Sequence, residues 1–228
     1  VRNYFNYFTE VEEHFVRKRG KNITVAPLDW CLIELWKSSG IPLHVALRGI
    51  DRSFEAAQKR QRKNPSTLFY CHPAVMEAFE EYRNAMIGAQ PDQVTEAAGE
   101  KPMMPSAAVV AHLDQLSAAL SRLEAKLVER ETGRLRALRA EAEARAAVDP
   151  EELDRELTEI EELLADALRE RLAPERLAAI RAEVKDETKI YKKHLSKEMY
   201  ERLRNGYLRR KLLAENGIPE FTIIHLEL

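Results

Sequence analysis

Leu113-Asp-Gln-Leu116-Ser-Ala-Ala-Leu120-Ser-Arg-Leu123-Glu-Ala-Lys-Leu127, followed after Asp149-Pro150 by Leu153-Asp-Arg-Glu-Leu157-Thr-Glu-Ile160-Glu-Glu-Leu-Leu164-Ala-Asp-Ala-Leu168, is the stretch on which the fold turns. Apolar residues stepping by three and four fall on one face of a helix. Two such faces joined by a tight connection cover each other as an antiparallel, coiled-coil-like hairpin. Ser106 is placed to cap the first arm, which the leucine pattern carries to about Val148; roughly 40 residues make a rod of about 60 Å. Between Leu127 and Leu135 the stripe slips register, and Thr132-Gly133 lies in the slip, so the bend is expected there.

The second arm starts on strong local signals: Asp149 to cap, Pro150 at the first helical position, Glu151-Glu152 in the first turn. It ends near Leu172, where Ala173-Pro174-Glu175 starts another helix bearing Leu177, Ile180 and Val184. An arm of about 35 Å cannot cover one of about 60 Å. The helix of Leu177 or a second chain must cover the rest. The interaction seam is read as Leu113, Leu116, Leu120 and Leu123 against Leu157, Ile160 and Leu164.

Upstream, residues 1–88 read as a small helical domain. Tyr4, Phe8, Val11 and Phe15 recur at helical spacing, Arg17-Lys18-Arg19 suit the C-terminal end of the dipole, and Gly20 stops the helix. Asn22 to Ala26 is β-branched enough for a short extended segment before Pro27, which opens a helix carrying Trp30 and Trp36, both read as core. After Ser38-Ser39-Gly40, Ile41-Pro42 introduces a third helix with Leu43, Leu47, Ile50 and Phe54 on one stripe. A basic loop from Lys59 to Ser66, the segment Leu68-Phe69-Tyr70 and a last helix through Val75, Phe79 and Tyr82 complete the domain.

Residues 89–105 hold four of the prolines and glycines and almost no large apolar residue, the composition of a linker. Residues 106–217 hold the hairpin and the helices after it; Ser196 caps the last of these and Asn216-Gly217 ends it. Residues 218–228 contain Phe221, Ile223, Ile224 and Leu226 and read as a terminal β-strand that needs an edge to pair with. The fold class expected is mainly α: a small N-terminal helical domain, a long antiparallel hairpin and a short C-terminal strand.

The net charge of −2 conceals a polarised distribution: +3 over residues 1–90, −9 over 91–187 and +4 over 188–228. No apolar run approaches the roughly 20 residues of a membrane span. Cys31 and Cys71 are too few for a disulfide framework. A soluble, cytoplasmic protein without membrane partner follows as the expectation. Cys71-His72 lacks the further ligands a zinc site needs, and the six histidines are scattered. With no Gly-rich phosphate loop and no nucleophile elbow, neither enzyme nor cofactor is expected. Catalysis by Cys71 would require a reactive, accessible thiol.

Two readings remain. One is a non-enzymatic adaptor that binds a protein partner, or a second copy of itself, through the hairpin and terminal strand. The other is a nucleic-acid binder in which Arg17, Lys18, Arg19, Lys59, Arg60, Arg62 and Lys63 meet phosphates, with Phe69 and Tyr70 close by.

The N-terminal module resembles the helical domain of DnaD-type replication-initiation proteins from Tyr7 to about Phe79. The likeness lies in an aromatic helix, a Pro-led helix with a Trp, a turn containing Gly, the series Leu43, Leu47, Ile50, and the aromatic segment Leu68-Phe69-Tyr70. Tyr70 is followed by Ala74, Val75 and Phe79, where that family ends on a Trp. The resemblance implies DNA contact near Lys59 to Tyr70 and a part in assembling replication proteins.

Overall fold

The computed structural model describes residues 4–20, 26–88 and 103–223. Residues 22–25 of the expected extended segment Asn22 to Ala26, most of the linker, and Ile224 and Leu226 of the expected strand lie outside these residues. The chain is mainly α-helical and divides into two compact units: Val1–Gly99 with Glu187–Arg204, and Glu100–Asp186 with Asn205–Leu228. Glu187–Arg204, which lies within the second module read from the sequence, groups with the first unit. No helix among the described residues is long and apolar enough to cross a membrane.

In the first unit, α1 (Tyr4–Arg19), α2 (Pro27–Ser38), α3 (Leu43–Lys59) and α4 (His72–Gly88) enclose an aromatic core. Val11, Phe15, Leu32, Ile33, Trp36, Val45, Ile50 and Val75 are wholly buried. Phe15 meets Phe54 edge-on with centroids 5.8 Å apart, and Phe8 stacks on Trp30 at the same separation. The helix ends obey local chemistry. Gly20 and Gly40 take φ of 72° and 74°, the left-handed conformation that closes a helix and that glycine adopts without strain. After Gly40, Ile41 N–H bonds Trp36 O at 3.1 Å and Gly40 N–H bonds Lys37 O at 2.9 Å, the paired pattern of a Schellman cap.

Helices α3 and α4 cross at Gly49. A Cβ there would lie 2.4 Å from Val75 Cα, so only glycine permits the approach. Beneath the crossing, Trp36 Nε1–H donates to His72 Nδ1 at 2.9 Å, and the rings stack 10° from parallel. Burial pushes the His72 pKa down to about 4, so the ring is neutral at pH 7 and its bare Nδ1 accepts.

In the second unit, α5 (Ser106–Leu120), α6 (Ala125–Glu143) and α7 (Pro150–Arg171) run up, down and up. Ser106 Oγ donates to Arg145 O at 2.6 Å, Arg139 pairs Asp114 at 2.6 Å, and residues 121–124 turn the chain, which makes α5 and α6 antiparallel. Arg134 meets Glu156 at 2.7 Å and Arg171 meets Glu124 at 2.5 Å, so α6 and α7 are antiparallel as well. A two-residue ribbon, β1 (Met104–Pro105) against β2 (Ala147–Val148), ties the open end of the first pair.

The single 60 Å arm is thus replaced by two helices with the break at Ser121–Glu124, and Gly133 sits inside α6. The cause is burial. A straight rod would leave half its stripe uncovered, whereas folding α6 back onto α5 buries Leu113, Leu116, Leu120, Val128 and Leu135 together. Ser106 does not cap α5; Pro105 occupies the N-cap position and the Ser106 hydroxyl serves Arg145 instead. The signals at Asp149 hold, with its side chain accepting from Glu151 N at 2.9 Å.

Helix α8 (Pro174–Glu187) lies antiparallel to the second half of α9 (Lys197–Glu215), through Arg176 to Glu215 and Lys211 to Glu183. Ser196 accepts from Met199 N at 3.2 Å, and Gly217 ends α9 with φ of 64°. The described part of the expected terminal strand, 218–223, is not a strand. Ile218, Phe221 and Ile223 are buried in this unit, and His112 Nε2–H donates to Phe221 O at 3.2 Å. Phe221 and Ile223 therefore do not stand ready for a partner, because their side chains complete the core of their own unit.

Candidate nucleic-acid interface

The basic loop after α3 is built on a fixed helix end. Arg60 is the C-cap, Gln61 takes φ of 50°, Arg62 N–H bonds Ala57 O at 2.8 Å and Gln61 N–H bonds Gln58 O at 3.0 Å. This is again a Schellman cap, here with a glutamine in the left-handed position where glycine is usual. Lys59, Arg60, Arg62 and Lys63 all point outward, and none makes an ion pair among the described residues. Four unneutralised cations within five positions create a local field that favours an anionic partner.

The far side of the loop is pinned from below. Pro65 is buried, the Arg19 guanidinium donates to Ser66 O at 3.2 Å, and Leu68 N–H donates to Asp29 Oδ1 at 3.0 Å. Asp29 is almost wholly buried, and burial raises its pKa to about 6 against the opposing pull of backbone amides and the Arg19 charge. Ser53 Oγ–H donates to Tyr70 O at 3.2 Å and so fixes the backbone from which the Tyr70 ring projects, 58% exposed. Between this ring and the loop opens a cleft of about 760 Å³, with Arg60, Arg62 and Lys63 on its rim and Ala56, Ala57 and Pro73 in its wall. Arg52 also lines it but is held by Glu81 through two 2.8 Å hydrogen bonds.

The seven cations proposed from sequence divide into two groups. Arg60, Arg62 and Lys63 come together at the cleft, and Lys59 is exposed at the end of α3 just before them. Arg17 lies 3.2 Å from His14 Nδ1, Lys18 pairs Asp51 at 2.7 Å, and Arg19 bonds Ser66 O while lying over the Phe15 ring at 5.2 Å. Lys18 and Arg19 tie α1 to the rest of the unit, whereas the Arg17 contact stays within α1. Of the proposed interaction seam, Leu113, Leu116, Leu120, Leu157, Ile160 and Leu164 are buried inside the second unit and Leu123 is half-buried at the turn after α5.

Cys31 and Cys71 are buried and not joined in a disulfide, and burial pushes the Cys71 thiol up to about 12, the opposite of an activated nucleophile. Among the described residues, no group of three His, Cys, Asp or Glu could hold a metal ion.

A feature that sequence reading did not associate with the cleft is the 3₁₀ turn Lys189–Lys193. It belongs to the same compact unit, where Phe69 meets Tyr191 at 4.6 Å and His194 at 5.1 Å, both edge-on. The run Lys-Ile-Tyr-Lys-Lys-His, with cations and aromatics interleaved, was the available signal.

A family model described only as an uncharacterised protein matches residues 6–90, the stretch that carries α1 to α4 and the cleft. No curated protein and no solved structure matches the chain.

Proposed function

We propose that the first unit is a nucleic-acid-binding module whose contact surface centres on the cleft of Arg60, Arg62, Lys63 and Tyr70. The observation that carries this reading is the pairing of a rigid, unneutralised basic loop with an exposed aromatic ring across one opening. Cations there meet phosphates, and the ring offers a face to a base. The likeness of residues 7–79 to DnaD-type helical domains points toward the same loop. An adaptor that works through the leucine seam draws no support from its placement, since those leucines already face inward within the second unit.

The reading is tested by fluorescence anisotropy with a labelled oligonucleotide across a salt series. The parent should bind with an affinity that falls as salt rises, with about four phosphate contacts giving a log–log slope near −3 for a single strand and near −4 for a duplex. Replacing Lys59, Arg60, Arg62 and Lys63 together by Ala should remove most of that slope. Replacing Arg17 and Lys18 should change binding far less. Absence of binding by the parent at low salt would overturn the proposal.

A further inference from the structure

The turn Lys189–Lys193 is firmly docked, not a loose arm. Tyr191 and Leu195 are buried, and the hydroxyls of Thr188 and Tyr200 are 3.3 Å apart. Lys189, Lys192 and Lys193 nevertheless face solvent, with no ion pair among the described residues, and Ile190 is 53% exposed. From Glu187 to Arg204 the chain contributes six Lys or Arg against three Glu, so this insertion makes the first unit more basic.

The aromatic rings connect the turn to the cleft. Phe69, nearly buried, touches Tyr70 at 5.3 Å and His194 at 5.1 Å between centroids, while Tyr70 and His194 are themselves exposed. Two accessible rings thus share contact with one core ring, and each lies beside its own group of free cations. Exposed rings interleaved with cations are the means by which proteins hold unpaired bases, whereas a duplex keeps its base faces stacked on one another.

We propose that Lys189, Lys192, Lys193 and His194 form the second half of the surface, and that its ligand is single-stranded nucleic acid running from loop 59–63 across Tyr70 to this turn. The inference rests on the nucleic-acid reading of the cleft and goes further in naming the strandedness of the ligand and a second contact segment. Phosphates lie along the two basic groups, and bases pack on Tyr70 and His194.

The test uses the full chain with labelled strands of about 12 nucleotides, a length within the range single-strand modules occupy. The probes are a deoxy strand, a ribo strand, an abasic strand of equal length and the matched duplex. Either ordinary strand should bind at least tenfold more tightly than the duplex, and the two strand arms show whether the sugar matters. Changing Lys189, Lys192 and Lys193 to Ala should weaken strand binding about tenfold or more and reduce the salt slope by about two. In a Tyr70→Trp variant, whose new indole is exposed while Trp30 and Trp36 are buried, the ordinary strands should quench fluorescence and the abasic strand should not. Unchanged circular dichroism and melting confirm that these surface changes leave the fold intact.

If the triple lysine variant binds the strand with the parent's affinity and slope, while Arg60→Ala with Arg62→Ala and Lys63→Ala does not, the surface ends at the cleft and this inference fails alone. Equal affinity for duplex and strand, without quenching, rejects it in the same way. If the parent binds neither, the reading of the cleft fails first.

Discussion

Asp29 and His72 are two titratable side chains held in the core of the first unit, and they pull stability in opposite directions with pH. The Asp29 pKa is raised from 3.8 to about 6, so its contribution is fully present below pH 4 and is lost as pH rises through 6. The His72 pKa is lowered from 6.5 to about 4, so its contribution is present above pH 6.5 and is lost as pH falls toward 4. Each shift corresponds to about 3 kcal/mol. Between pH 4.5 and 6.5 the two largely cancel. Asp29→Asn keeps an acceptor for Leu68 N–H but removes one side of the balance. Denaturant unfolding should find this variant more stable than the parent at pH 7, and losing about 2–3 kcal/mol more than the parent between pH 7 and 4.5. A parallel pH dependence in the two proteins would show that Asp29 is ionised without penalty.

Glycines show how a residue type acquires meaning from the helix that holds it. At Gly49 the backbone of α4 is so close that an added methyl meets Val75 Cα itself, which no rotamer change relieves. Gly49→Ala is expected to cost about 3 kcal/mol in chemical unfolding by forcing α3 and α4 apart. Gly133 lies in the exposed middle of α6 with nothing within 4 Å of where a Cβ would stand. Gly133→Ala should therefore raise stability by about 1 kcal/mol, because the helix is continuous there and only backbone freedom is removed. A destabilised Gly133→Ala variant would mean that α6 bends at the position its leucine spacing suggested. The basic loop belongs to the same level of organisation. Its cations were readable in the chain, but their fixed presentation comes from the Schellman cap of α3 and the pinning of Ser66 and Leu68 from beneath.

Both compact units are assembled from separated pieces of chain, and α9 begins in one and ends in the other. The consequence is that terminal residues do core work. Phe221 is wholly buried in the second unit and its carbonyl accepts from His112. Phe221→Ala should cost about 3–5 kcal/mol in that unit, measured by thermal or denaturant unfolding. A variant that melts with the parent would return this segment to the role of a free strand. The leucines of α5 and α7 likewise act inside their unit.

Helix starts and stops were readable directly, at Asp149-Pro150, Ser196, Gly40 and Gly217, because a cap is chemistry between residues a few positions apart. The helical class, the core role of Trp30 and Trp36, and the basic loop at 59–63 were legible for the same reason. Tertiary packing alone decided that the leucine stripe folds back at Ser121–Glu124, that Gly49 meets Val75, that Phe221 turns inward, and that Lys189–Lys193 joins the unit of Tyr70. Those outcomes depend on which distant surfaces can bury one another, a comparison of free energies over the whole unit that no local pattern encodes.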